Sequence, residues 1–339
     1  MQLKLSASKF PPAPLVLIAP FFLWGTAMVA MKGVIADTTP LFMAAVRLLP
    51  AGVLILITAT IMGKPQPKGW LAWLWIILFA LVDGVLFQGF LAEGLVRTSA
   101  GLGSVMIDSQ PLAVALLSLW LFQEHIGLWG WLGLGLGVIG ISLIGLPHEL
   151  IFQFFDPNVN ASIGNWQDVL SSGEWLMLLA ALSMAVGTVM IRFVCRYADP
   201  VMATGWHMIL AGLPLWGISS VVESHQWQNL TISEWMALGY ATVFGSAIAY
   251  GLFFYFASSG SLTSLSSLTF LTPVFALLFG NLILSEVLTP LQWVGVGLTL
   301  ISIYLINQRD NWRGENRKVT VSEEAAQQSP VLETSIHGR

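Results

Sequence analysis

Long apolar runs separated by short polar connections dominate this sequence. Ten stand out: residues 14–32, 41–62, 70–92, 100–122, 127–146, 173–193, 200–222, 235–257, 264–285 and 290–306. A helix crosses a hydrocarbon core of about 30 Å with roughly 20 apolar residues, and each run is near that length. The pattern predicts an all-α membrane protein of ten transmembrane helices, spans one to ten. Segment 1–13 precedes them, and 147–172 stands between spans five and six with Pro147, Pro157, Gly164 and several acids. It reads as a linker, although its apolar stretch Leu150 to Phe155 also suits the membrane interface. The 307–339 tail is polar, rich in Glu, Gln and Ser, and is expected to be disordered.

The last five runs repeat the first five. Adding 162 carries Pro111, Glu124, Trp131, Gly133 and Gly135 onto Pro273, Glu286, Trp293, Gly295 and Gly297. The same shift takes Gly25, Thr26, Met28 and Asp37 to Gly187, Thr188, Met190 and Asp199. Two residues are then missing from the second copy, so a shift of 160 takes Pro40, Arg47, Ala51 and Gly52 to Pro200, His207, Ala211 and Gly212. Residues 14–146 and 173–306 are thus two five-helix repeats, the usual architecture of secondary transporters.

Composition agrees with a membrane solvent. Hydrophobic residues make up 56% of the 339 positions and charged residues 9%, more apolar surface than a soluble fold covers. With the N-terminus in the cytoplasm, that side holds Lys4, Lys9, Lys64, Lys68, Arg192, Arg196, Arg309, Arg313, Arg317 and Lys318, against Lys32 and Arg97 opposite. This bias predicts both termini inside and the linker outside. An odd number of spans per repeat then makes the halves inverted. Lys4 and Lys9 before an apolar run imitate a signal peptide, but the match of span one to span six argues that it is retained. Cys195 is the lone cysteine, so no intramolecular disulfide forms. Asn160-Ala161-Ser162 and Asn229-Leu230-Thr231 are sequons in expected outside loops. They have meaning only in a secretory pathway.

Several motifs have plain readings. Gly135, Gly137 and Gly140 spell G-x-G-x-x-G, but an apolar span supplies neither the strand nor the wet helix start that a dinucleotide needs. Close helix packing through Gly133 and Gly137, four residues apart, is the better reading. Trp70, Trp73, Trp129, Trp131, Trp235 and Trp293 fall at span ends, where an indole sits at headgroup level. Trp24 and Trp206 lie deeper and are candidate pocket walls.

Pro111 and Pro273 interrupt spans four and nine at equivalent places. Each frees a backbone carbonyl, which a membrane tolerates where a helix is buried or lines a cavity. A shared central site is expected, with a merely kinked packing helix as the alternative. Glu124 and Glu286 end the same two spans and are read as caps on the following helices or as gate contacts. Arg47, Asp83, Asp108 and His207 are the ionisable groups within spans. At about 1.5 Å per residue, Arg47, Asp108 and Asp83 lie about 9, 12 and 14 Å from the outer ends. Such residues usually face the interior and pair. Arg47 is expected to pair with Asp83 or Asp108, and the remaining aspartate to bind a proton or stand solvated. The second-half equivalents of Asp83 and Asp108 are Gly245 and Phe270.

Leu271-Thr272-Pro273-Val274-Phe275-Ala276, Ser285-Glu286 and Trp293-Val294-Gly295 resemble the second repeat of EamA-type members of the drug/metabolite transporter superfamily. Leu23-Trp24-Gly25-Thr26, Ala45-Val46-Arg47 and Thr98-Ser99-Ala100-Gly101 resemble the first, second and fourth spans of such proteins. The resemblance covers about residues 14–306. It implies ten helices in two inverted repeats, a central substrate cavity and alternating access for a small metabolite, often outward. Asp83 and Asp108 belong to no general pattern of that family, so their coupling role rests on depth alone.

The expected function is a secondary transporter of a small organic metabolite, an amino acid or related compound, in a plasma (inner) membrane or an organelle envelope. Its cavity is expected to be walled by Trp24, Arg47, Gln88, Gln110, Trp206, His207, Tyr250 and Tyr255, with Asp83 and Asp108 as coupling residues. No catalytic residue, metal, cofactor or nucleic-acid partner is expected; substrate and lipid bilayer are the partners. The competing readings are a lipid-modifying intramembrane enzyme and a non-transporting sensor or scaffold. The enzyme needs a motif such as G-x-S-x-G or H-E-x-x-H, and His148-Glu149 has no second histidine.

Overall fold

The computed structural model describes residues 14–31, 34–97, 106–145, 173–284 and 289–307. The described elements are helices and their connecting turns. Eight described helices have the length and apolarity to cross a membrane, and two shorter apolar helices, Leu15–Met31 and Met106–Phe122, occupy spans one and four. The expectation of ten full spans is met in part, because the start of span four falls in 98–105, outside the described residues. The 1–13 segment, the 147–172 linker, Glu286 and the tail beyond Asn307 also lie outside them.

Local chemistry sets the helix starts. Pro40 and Pro200 open their helices at a position where the absent N–H costs nothing, just after Thr39 and Asp199. The Asp199 carboxylate accepts from the amides of Val201 and Met202. Thr231 and Glu234 make a reciprocal capping box at Ile232–Tyr240. The third spans of both halves depart from simple helices. Trp70–Phe79 passes into a π-helical segment, Ala80–Leu86, before resuming as α, and Ile232–Tyr240 does the same at Ala241–Ile248. Such widened turns occur mostly at functional sites.

Helix Pro40–Ile61 packs most extensively on its copy, Pro200–Val222. The two run antiparallel. Glu223, at the end of the second, accepts from the first amides of the other, Leu41 and Phe42, at 2.9 and 3.0 Å. Lys64, past the end of Pro40–Ile61, pairs with Asp199 at 3.2 Å. This is the relation that an inverted duplication gives. Cross-packing repeats it: Pro14–Met31 lies against the π segment Ala241–Ile248 and against Leu271–Leu284, while Gly173–Val194 lies against Ala80–Leu86 and Gln110–Phe122. Each half completes the other.

The core fills the space between halves. Phe21 meets Phe253 edge-on at 6.1 Å, and Phe79 meets Phe254 at 4.9 Å. Gly127–Gly145 and Pro290–Asn307 approach through small residues. A Cβ on Gly140 would stand 2.9 Å from the Gly295 carbonyl, and one on Gly295 would stand 2.7 Å from the Gly140 carbonyl. The Ser302 hydroxyl donates across to the Gly133 carbonyl. Two glycines of the dinucleotide-like motif, Gly137 and Gly140, therefore serve helix packing, while Gly135 faces open space. Outward-facing side chains such as Ile57, Ile61, Leu213 and Val221 are exposed, as lipid contact requires, and Trp70, Trp129, Trp131, Trp235 and Trp293 join them near helix ends.

Candidate substrate cavity

A cavity of about 510 Å³ opens between the two halves. Its rim includes Met31, Ile35, Pro40, Ile144 and Gln292, all near one face of the helix bundle, and its depths include Phe87, Gln88, Met184 and Tyr250. Gln88 and Tyr250 are 162 residues apart, which makes them repeat counterparts, and the Gln88 amide donates to the Tyr250 hydroxyl at 3.0 Å. Two equivalent residues touch only where the axis relating the halves passes, so the cavity sits on that axis. Trp24 packs edge-on against Tyr250 at 5.1 Å and forms a further wall.

The opposite end is shut by Glu124. Its carboxylate accepts from the amides of Leu262 and Thr263 at 3.0 and 3.3 Å and from the Thr263 hydroxyl at 2.9 Å. Arg192 approaches it at 3.4 Å while also donating to the Gly260 carbonyl. Glu124 was expected to cap the next helix in sequence; it caps span nine of the other half instead. The chain leaves span four through Gln123 in a left-handed conformation, φ 53°, at a point where the facing half presents the start of Leu262–Ser267. Glu286 lies outside the described residues.

Prolines mark real interruptions. Span four breaks at Ser109 and restarts at Gln110, with Pro111 in the first turn of Gln110–Phe122. Span nine passes from Leu262–Ser267 through a 3-10 turn, Leu268–Phe270, into Leu271–Leu284, which carries Pro273 in its first turn. Residues at both breaks reach the cavity: Ile107, Asp108 and Gln110 on one side, Thr269, Thr272 and Pro273 on the other. Pro111 itself is buried behind that wall.

The expected pairing of Arg47 is corrected. Asp83 lies 3.2 Å from His207 Nε2, and both are fully buried. The reason is cross-packing: the π segment that carries Asp83 lies against Pro200–Val222, so Asp83 meets the repeat counterpart of Arg47. His207 Nδ1 stands 3.0 Å from the Thr204 carbonyl, which can only accept, so that nitrogen carries a proton. Phe79 stacks on the imidazole at 4.2 Å, and a Cβ on Gly187 would meet Asp83 Oδ1 at 2.3 Å, so only glycine leaves room for this carboxylate.

Arg47 remains on the cavity wall. Its Nη1 donates to the Met31 sulfur at 3.1 Å, and its buried Nε has no partner. Asp108 lines the same cavity and makes an interaction of its own. The Gln110 amide donates to Thr188 Oγ1 at 3.1 Å, leaving its carbonyl oxygen unpartnered.

Three expected wall residues lie elsewhere. His207 is enclosed with Asp83. Trp206 donates to Gln66 Oε1 at 3.0 Å and meets Trp73 edge-on at 5.1 Å, near the start of its helix. Tyr255 is 42% exposed. At about 100° per residue, five positions turn a helix through about 140°, so Tyr250 facing inward sends Tyr255 outward. Sequence reasoning missed Gly245 and Thr272 on the wall and both π segments. The signal available was the repeat itself, which places Gly245 opposite Asp83 and Thr272 opposite Gln110.

Apolar helices arranged as two cross-packed repeats around an axial cavity define a multi-pass membrane transporter. The chain belongs to the EamA-like transporter family, whose model matches residues 12–146 and 171–308. It is 64% identical over 321 residues to the uncharacterised transporter sll0355 of Synechocystis sp., covering 94% of this chain and 97% of that one. It is 55% identical over 296 residues to the WAT1-related protein At3g02690, chloroplastic, of Arabidopsis thaliana, covering 86% and 68%. A chain in a solved crystal structure shares the fold with a TM-score of 0.70 at 17% identity, covering 86% of this chain and 94% of that one.

Proposed function

We propose that this transporter moves a small organic metabolite, an amino acid or related compound, by alternating access, with export as the net direction. One observation carries the reading: the cavity lies on the axis between the halves, is open toward the Met31–Pro40 end and is closed by Glu124 and Arg192 at the other. Rocking one half against the other would exchange those two ends around a fixed site. The excess of cations near the Glu124 end makes that end cytoplasmic, so this conformation is outward-open. The membrane is a plasma (inner) membrane or an organelle envelope. A proton coupled to movement would be held by Asp108, the acid that the cavity touches, since Asp83 is shut away with His207.

The test is reconstitution in liposomes, with uptake of labelled amino acids, sugars and organic acids measured against empty vesicles. Saturable movement of one class supports the reading; movement of none opposes it. An Asp108→Asn variant then keeps transport and loses its dependence on a pH gradient. Single cysteines in a Cys195→Ser background test sidedness: impermeant reagent on intact cells should label position 35 and spare position 66.

A further inference from the structure

The two halves are compared most sharply where each second span meets the other half's π segment. In one such contact His207 faces Asp83. In the other, the counterparts are Arg47 and Gly245, both on the cavity wall. The cation is kept and its acid is gone. Arg47 has no ion-pair partner among the described residues: its Nη1 rests on the Met31 sulfur, a weak acceptor, and its buried Nε has nothing. A lone arginine at the centre of a spanning helix costs about 2.5–3.5 kcal/mol on insertion scales, so the position calls for an anion.

Other unpartnered atoms surround the same cavity. Trp24 Nε1 and Thr272 Oγ1 are buried without partners, and both can donate. Gln110 Oε1 is the unpartnered acceptor, beside Asp108 on the wall. Trp24 and Thr272 thus share the cavity with a guanidinium, whose planar fork matches a carboxylate with two parallel hydrogen bonds. A carboxylate brings one negative charge to that single cation where a phosphate brings up to two, which favours a monoanion. We propose that the transported compound carries a carboxylate, and that Arg47 receives it in the role that Asp83 plays beside His207 in the other half. An apolar body then lies along Trp24 and Tyr250, where the cavity is aromatic.

This inference rests on the transporter reading only for the word "transported"; binding tests it independently. The probes are 3-phenylpropanoate, 3-phenylpropanol, 3-phenylpropylamine and phenyl phosphate, titrated calorimetrically into the full chain in nanodiscs. The carboxylate should bind at least tenfold more tightly than the alcohol or the amine. Arg47→Gln should abolish that preference, and Arg47→Lys should keep part of it, because an ammonium supplies the charge without the fork. Arg47→Lys also decides the matter if Arg47→Gln is not monodisperse. Equal binding of alcohol and carboxylate, an unchanged preference in Arg47→Gln, or tighter binding of phenyl phosphate would overturn the assignment. Uptake of the same probes separates the two claims. Carboxylate preference without movement sinks the transporter reading and leaves the anion site standing; movement of the alcohol or amine, unaffected by Arg47→Gln, does the reverse.

Discussion

In one half of the molecule the π segment of the third span offers Asp83 to His207, and in the other the equivalent segment carries Gly245, which shares the wall of an open cavity with Arg47. The backbone is duplicated; the charge is not. Where both side chains are present the contact is buried, stacked on Phe79 and closed by Gly187. Where the acid is missing, Arg47 and Gly245 line a cavity. A repeat protein can thus use one copy of a contact to hold its halves together and the other to receive a ligand. The ends of the cavity differ in a related way: Glu124 ties the two halves at one end through backbone amides and Arg192, whereas the other end is rimmed by Met31, Ile35 and Ile144.

The largest expected effect comes from opening the closed contact. Asp83→Leu leaves a buried imidazole with a protonated Nδ1 and no acid, a loss of about 3–5 kcal/mol for half of a broken buried pair. Thermal melting of the purified protein should fall accordingly or yield should collapse. Asp83→Asn should cost less, since its amide can still donate to a neutral Nε2; equal damage from both would mean that the pair is held by charge alone. Next is Gly140→Val, whose Cβ meets Thr299 Oγ1 at 2.5 Å and the Gly295 carbonyl at 2.9 Å. A loss of about 1–3 kcal/mol is expected. Gly135→Val, with open space around it, should change melting little. Glu124→Ala should cost a similar or smaller amount, about 1–3 kcal/mol for the stranded amides, and should increase labelling of a cysteine placed at Thr263 from the cytoplasmic side.

The smallest effects belong to residues away from the cavity. Tyr255→Phe should leave both melting and transport unchanged. Cys195, whose thiol is pushed up to about 12 by burial and by Asp199 nearby, should react slowly with maleimides at neutral pH, giving a low background in labelling experiments.

Much of the fold was legible because a membrane makes few demands and states them loudly. Apolar length marked the helices, and a constant offset such as that from Gly133 to Gly295 marked the duplication. The offset also held the key to the site, since it pairs Gln88 with Tyr250 and Asp83 with Gly245. Depth counting was the weaker guide. It put Arg47 and Asp83 at one level, but level says nothing about azimuth, and cross-packing turned Asp83 toward His207. Tyr255 failed for the same reason, lying on an exposed face of its helix, whereas Trp206 sits near the helix start against Gln66 and Trp73. The π segments had no proline to announce them. Glu124 shows a further limit, because a carboxylate that caps a helix more than 130 positions away leaves no local signature.

The most direct measurement restores the missing acid. Gly245→Asp needs space, since a Cβ there would stand 2.6 Å from the Ala27 methyl, so it is combined with Ala27→Gly. Gly245→Asn with Ala27→Gly supplies the same bulk without the charge. If Arg47 is a cation awaiting a carboxylate, the aspartate variant should lose at least tenfold in affinity for 3-phenylpropanoate relative to the asparagine variant. Equal affinity in the two would contradict the claim that the halves differ by one vacant counter-charge.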